Sequence, residues 1–443
     1  MRVFLCQSYL GPFSSAPPLV FPIGLAYLAS MIKDDHEVYC WDPNVAEDPM
    51  KELPRLLEKT MPDVVGISFR NVDSSFSFAI RWYYPQFVSM IRTIKETVPS
   101  CKLVAGGCGF SLFAEEIMKR NPQIDFGTIS EGEHSFAQLL KNMDNPKRVN
   151  NLTFRRNGQI WHTERCIEDF EFLLPPAREL FDIREYQKKP YTIGVQTKRG
   201  CGFNCIYCPS KFLAGSRYRL RSPKKVVDEI EQLLNTYDLN SYFFVDSTFN
   251  RPYEHSRRIC QELIKRKLEA SWSSEFATAF MNEGFMREAV KTGCRLFYFS
   301  PDGASDRALN LLGKNMRVEH IEKTISLARS VEGANVGYGF VYDLPRYNSE
   351  HVAGLARLVP RMILELREKL YLVSLTKIRI YPRTQLYDLA VREGRISQSA
   401  DILYPVYYSA ASRLSMENII PELLRKSCSY FDIVTKKCKT HDF

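Results

Sequence analysis

Short apolar runs rich in Val, Ile, Leu and Phe recur along the chain, and between them lie longer stretches with apolar residues every three or four positions. The first pattern is that of strands buried on both faces, the second that of amphipathic helices. Over residues 1–145 the runs Val3–Cys6, Glu37–Trp41, Val64–Phe69, Leu103–Ala105 and Phe126–Ile129 predict strands. Leu25–Ile32 and Phe113–Lys119 are among the helices predicted between them. Such alternation predicts a doubly wound, Rossmann-like parallel sheet. Its strands end in Asp42-Pro43-Asn44, Arg70-Asn71-Val72-Asp73 and Gly106-Gly107-Cys108-Gly109. Polar and glycine-rich tips of this kind mark the carboxyl edge, where these sheets bind ligands.

The alternation lapses over residues 146–185, which read as a linker. Asn157-Gly158, between Thr153–Arg155 and Gln159–His162, predicts a hairpin there. Over residues 186–400 it resumes, with strands expected at Tyr191–Thr197, Tyr242–Val245, Ala270–Glu275, Leu296–Ser300, Val336–Val341 and Lys377–Ile380. Helices are expected between them, for example at Pro223–Asn235, Tyr253–Lys265 and Glu319–Ser330. Six βα repeats are too few for a closed eight-stranded barrel and predict a partial (β/α)6 barrel with its chemistry at the carboxyl ends of the strands. Residues 401–443 form a C-terminal extension with a Tyr-rich start and a basic end.

Composition narrows the class. The chain has 443 residues, 45% hydrophobic and 25% charged, which suits two or three folded domains and excludes a low-complexity polymer. No apolar run approaches the ~20 residues of a membrane helix. Met1–Cys6 turns polar too soon for a secretory signal and reads as a strand. The expected compartment is the cytoplasm, where the twelve cysteines are thiols or metal ligands rather than disulfides. The net charge of +9 is spread along the chain, with concentrations at Lys198–Lys225 and at Lys436, Lys437 and Lys439. This reads as a solvated surface with a few anion contacts rather than a nucleic-acid groove.

One constellation carries chemistry directly. After the first strand of the second unit comes Gly200-Cys201-Gly202-Phe203-Asn204-Cys205-Ile206-Tyr207-Cys208-Pro209. Gly, Asn and Pro here argue for a loop, which lets three thiolates converge on one inorganic cluster and leaves one iron open for a small chelating molecule. A structural zinc site wants four ligands, and no His or Cys stands within the next forty residues.

Cys201-x-x-x-Cys205-x-x-Cys208 with Tyr207 resembles the signature of the radical S-adenosylmethionine (SAM) superfamily. The resemblance implies a [4Fe–4S] cluster on Cys201, Cys205 and Cys208, with SAM bound at the unique iron and cleaved to a radical. It places Tyr207, Asp246, Ser247 and Thr248 at SAM, and Ser300 and Asp302 at its ribose or carboxylate, Asp302 standing where the family has Glu. Tyr381-Pro382-Arg383-Thr384 is similar to the family's sixth-strand segment, with Arg383 replacing Gly. The first unit is similar to the cobalamin-binding domain of one branch of this superfamily, through Phe21-Pro22-Ile23-Gly24-Leu25, Gly106-Gly107 and Glu131-Gly132-Glu133. That implies cobalamin contacts from Pro22, Gly24, Leu25, Arg70, Asn71, Gly106, Gly107, Glu131, Gly132 and Glu133. The Asp-x-His-x-x-Gly motif of cobalamin domains with a histidine ligand is missing, its place being taken by Gln7-Ser8-Tyr9-Leu10-Gly11. Bound cobalamin is therefore expected to have no histidine below the corrin, with Arg70 nearest that face.

The implied function is a cobalamin-dependent radical SAM methyltransferase acting on an unactivated carbon, or on phosphorus, of a small-molecule or natural-product substrate. An external electron donor of flavodoxin or ferredoxin type is implied with it. Ring contraction, oxidative cyclisation and lipid tailoring stay open within the family, as does a non-catalytic cobalamin or iron–sulfur regulator.

Overall fold

Five of the six residues of Arg2–Gln7 (β1) are buried, so this strand can only lie at the centre of a sheet. It pairs in parallel with β2 (Glu37–Trp41) on one side and β3 (Val64–Ser68) on the other. Beyond β3 come β4 (Lys102–Gly106) and β5 (Phe126–Thr128), both parallel. The chain thus leaves β1 first to one side and then to the other, the switch point at whose carboxyl edge doubly wound sheets hold ligands. The computed structural model describes residues 1–11, 19–75, 77, 80–170, 173–346 and 349–409. The basic end of the extension, at Lys436, Lys437 and Lys439, lies outside the described residues.

The hairpin predicted at Asn157-Gly158 forms as β6 (Leu152–Arg156) and β7 (Gln159–His162), but it is no part of a tether. β6 pairs antiparallel with β5, so the first sheet has seven strands in the order β2-β1-β3-β4-β5-β6-β7. Three of the five β6 residues are buried, apolar surface that a free hairpin would leave in water. The rest of the expected linker is packed too: Ala177, Phe181 and Ile183, with Tyr186 just beyond it, belong to one buried cluster running from Val3 and Phe21 to Ile193 and Val226. The two units therefore share a core.

The second unit begins at β8 (Gly194–Val195), followed by a short antiparallel ribbon of β9 (Lys198–Arg199) and β10 (Arg219–Leu220). Then come β11 (Ser241–Phe244), β12 (Ser271–Phe276), β13 (Cys294–Asp302), β14 (Asn335–Asp343) and β15 (Leu370–Lys377). The six-stranded sheet runs β8-β11-β12-β13-β14-β15, parallel throughout. Two strands differ from expectation. The first, expected at Tyr191–Thr197, is cut short because Thr197 leaves the ladder, its amide and hydroxyl both donating to Asp246. The last lies at Leu370–Lys377 rather than Lys377–Ile380; Ile378 and Ile380 instead bond the backbone of Tyr408 and Val406.

Strand alternation gives this sheet two unlike faces. Trp272, Phe244, Phe276 and Phe297 face the surrounding helices, with ring centroids 5.0 Å apart for Phe244–Trp272 and 4.8 Å for Phe276–Phe297. The opposite face of β12 carries Ser273 and Glu275, and that of β13 carries Tyr298, Ser300 and Asp302. One face makes the core. The other, small and polar, leaves the space in which the site is built.

Candidate active site

The cysteine loop is fixed by its backbone. Cys201 N–H donates to Gly215 O at 3.1 Å, Ile206 N–H to Leu312 O at 3.1 Å, and Leu386 N–H to Ile206 O at 2.9 Å. Gly200 enters the loop at φ +87°, and a Cβ there would stand 2.0 Å from Arg217 O, so only Gly fits. Cys201, Cys205 and Cys208 then line one cavity of about 300 Å³ with Tyr207, Thr248 and Ser300. All ten described cysteines are free. Burial pushes the Cys201 thiol up and the Cys205 thiol up to about 11, with Lys314 opposing in both. Among the described residues no three His, Cys, Asp or Glu side chains close on the position of a single metal ion. Three thiols lining one cavity fit a cuboidal cluster, which takes one thiolate per iron. Among the described residues no fourth Cys and no His lines this cavity.

Beside the thiols, the Asp302 carboxylate is held by the Tyr207 hydroxyl and the Lys314 ammonium. Burial lowers the Lys314 ammonium, but Asp302 outweighs it and holds it above the usual lysine range. Asp302, expected at SAM, is thus engaged within the protein, and it does not line the cavity. Asp246 is likewise committed: it accepts from Lys198 Nζ at 2.7 Å, Thr197 N at 2.9 Å and the Thr197 hydroxyl. With both side chains of this pair essentially inaccessible, Asp246 anchors the start of the cysteine segment and leaves Ser247 and Thr248 to face the cavity.

A second cavity of about 690 Å³ lies between the two units, at the switch point of the first sheet. Pro22, Gly24 and Leu25 line it from the start of the helix Ile23–Ser30, Gly106 and Gly107 from the end of β4, and Arg70 from the turn after β3. A Cβ built on Gly24 meets nothing within 4 Å, so this glycine leaves open cradle space. Gly107, at φ +93°, would put a Cβ 2.9 Å from the Phe69 backbone. The Arg70 carbonyl accepts from Gly109 N–H at 2.8 Å, its guanidinium has no hydrogen-bond or ion-pair partner among the described residues, and burial pulls that guanidinium below the usual arginine range. Among the described residues no His lines the cavity. Asn71, expected with these residues, does not line it.

Glu131 and Glu133 border the same cavity and also join the units. Arg219 grips Glu131 through two nitrogens, at 2.7 and 2.5 Å, and Arg199 Nη2 meets Glu133 at 2.5 Å. Arg199 also lies over the Phe170 ring, 4.4 Å from its centroid. Arg199 stands in the run that enters the cysteine loop and Arg219 in the segment Arg219–Pro223 after it, both within the charge concentration at Lys198–Lys225, but nothing in the sequence paired them with Glu133 and Glu131. Lys314 and Glu275 gave no signal, being single residues without spacing.

Residues 12–140 match the B12 binding domain and residues 195–359 the radical SAM superfamily. The chain carries a B12-binding domain followed by a radical SAM domain. It is 25% identical over 403 residues to an uncharacterized methyltransferase of Pyrococcus horikoshii, covering 88% of this chain and 84% of that one. It is 26% identical over 333 residues to the anaerobic magnesium-protoporphyrin IX monomethyl ester cyclase of Rubrivivax gelatinosus, covering 70% of this chain and 56% of the cyclase. In fold it matches the radical SAM methyltransferase TsrM of Kitasatospora setae, solved with a tryptophan substrate and a SAM analogue. That match has a TM-score of 0.77 and 18% identity, and covers 93% of this chain and 80% of TsrM. The space between the units, bordered by the part that matches the B12 binding domain, is called the corrin-side cavity, and the space at the thiols the cluster-side cavity.

Proposed function

We propose that this protein is a cobalamin-dependent radical SAM methyltransferase that methylates an unactivated carbon of a small molecule. One observation carries the reading: the corrin-side and cluster-side cavities touch, sharing Ser247 and Glu275 in their walls. A molecule held at that junction is within reach of both cofactors. When bound, SAM on the cluster supplies a radical able to take hydrogen from carbon, and cobalamin supplies the methyl group.

The chain's own residues position and shield. Cys201, Cys205 and Cys208 would hold the cluster, and the Lys314–Asp302 ion pair stands beside Cys205 and Cys208. Ser247, Thr248 and Ser300 offer hydroxyl groups to SAM. Gly24, Gly106 and Gly107 would let backbone approach a corrin, and Arg70 would share its cavity without coordinating, since a guanidinium has no lone pair to give. The ion pairs of Glu131 with Arg219 and of Glu133 with Arg199 tie the two units together at the wall of the corrin-side cavity. An electron donor of flavodoxin or ferredoxin type and a cytoplasmic location complete the proposal. Among the described residues no helix is long and apolar enough to cross a membrane.

The Rubrivivax relative favours a second reading, oxidative cyclisation. Anaerobically reconstituted protein, given SAM with a trideuterated methyl group and the small-molecule extract of its source cells, separates the two. Methyl transfer puts the label into a product. SAM cleavage with an unlabelled, dehydrogenated product instead establishes cyclisation.

A further inference from the structure

Ser247 and Glu275 are the two residues that line both cavities, and Glu275 is the titratable one. It stands near the carboxyl end of β12, in register with Tyr298 of β13. Its one side-chain hydrogen bond among the described residues is long, 3.4 Å from Ser300 Oγ to Oε2. No described cation pairs with it, because Lys314 is taken by Asp302 and by the Ser300 carbonyl. The neighbouring Tyr298 hydroxyl is engaged with Ser374 Oγ at 3.1 Å. An enclosed carboxyl with one weak partner is costly to the fold unless a ligand completes its hydrogen bonds.

We propose that Glu275 is the substrate-recognising residue, hydrogen-bonding a neutral hydroxyl, carbonyl or amide group of the molecule that spans the two cavities. The proposal rests on the methyltransferase reading for the identity of that molecule. The groups facing Glu275 favour a neutral partner. Asp302 adds negative charge, Lys314 is already neutralised by it, and Tyr298 and Ser300 are uncharged. Burial pushes the Glu275 carboxyl up to about 8, so near neutrality it donates through O–H and accepts through C=O. An anionic carboxylate or phosphate at this spot would meet no free positive charge.

Two measurements test this, one of them independent of turnover. Dicyclohexylcarbodiimide, which attacks protonated carboxyls in apolar sites, is expected to modify Glu275 of the reconstituted protein at pH 6.5 and to lose that reactivity by about pH 9.5. Peptide mass spectrometry that finds Glu275 unmodified at both values overturns the proposal. In the second, labelled product from the extract assay is compared for wild type, Glu275→Ala and Glu275→Gln, each with intact cluster and corrinoid absorption. Loss of one buried hydrogen-bonding partner predicts about a tenfold or larger fall for Ala, with Gln substantially rescued. Equal product from wild type and Ala overturns the proposal. Wild type that cleaves SAM yet labels nothing refutes methyl transfer, and the carbodiimide result then decides Glu275 alone.

Discussion

Arg379 Nε lies 2.8 Å from Asp73 Oδ2, joining the last turn of the barrel to the loop after β3, with side-chain exposures of 2% and 0%. Arg379 also donates to the carbonyls of Ile380 at 2.6 Å, Ile402 at 2.7 Å and Val406 at 3.2 Å. It thus pins the start of the C-terminal extension as well as the first unit. Because Asp73 is taken by Arg379, it does not neutralise Arg70, which stays directed to the corrin-side cavity.

Asp73→Asn leaves the Arg379 guanidinium buried without a counter-charge. Breaking one partner of such a pair costs about 3–5 kcal/mol. Thermal unfolding followed by circular dichroism is expected to show a clearly lowered midpoint. An unchanged midpoint means the pair is dispensable.

Replacing Cys201, Cys205 and Cys208 together by Ala is expected to abolish bound iron, cluster absorption and 5′-deoxyadenosine formation. Cobalamin retention should persist, because none of the three lines the corrin-side cavity. Iron and corrinoid content of the purified variant check both halves. Iron at wild-type level would mean other ligands hold the cluster.

Arg70 is expected to leave cobalt without a nitrogen ligand below the corrin. Electron paramagnetic resonance of the cob(II)alamin form should show no nitrogen superhyperfine splitting, since among the described residues no His lines the cavity. Arg70→Leu should alter the axial signal or slow remethylation of cobalamin. No change in either removes Arg70 from the metal's surroundings.

Stability should depend on pH through Glu275. Burial raises its folded pKa to about 8, against about 4.3 in an unfolded chain. Between those values the folded protein keeps a proton that the unfolded chain has lost, so stability falls as pH rises through this window. Glu275→Gln removes that slope. Its melting midpoint should therefore gain on wild type between pH 5 and pH 9, and parallel curves would contradict the assignment.

The chain's alternating pattern already carried much of the architecture, because strands buried on both faces must be short and apolar wherever they pair. It placed β1 to β5 within a residue or two. It could not show that β6 and β7 extend the first sheet, since edge pairing depends on a partner strand and not on the hairpin's own residues. The same holds for β15: Leu370–Lys377 alternates weakly because the strand lies at the open edge of its sheet, with two neighbouring residues, Tyr371 and Leu372, exposed.

The site divides the same way. Cys201, Cys205 and Cys208 were legible because ligand spacing within one loop is a local property, and Gly106 and Gly107 because a tight turn demands glycine. What the charged groups do was decided only in three dimensions. Asp246 and Asp302 carry the right chemistry for SAM, yet Lys198 and Lys314 engage them first, and no spacing rule pairs residues 48 or 12 positions apart. Glu131 and Glu133 sit where a cobalamin turn is expected but also hold Arg219 and Arg199 across the interface. Glu275 is one acidic residue among many in the sequence. Only the meeting of two cavities, each built from distant strands, singles it out, because enclosure and proximity belong to the packed chain.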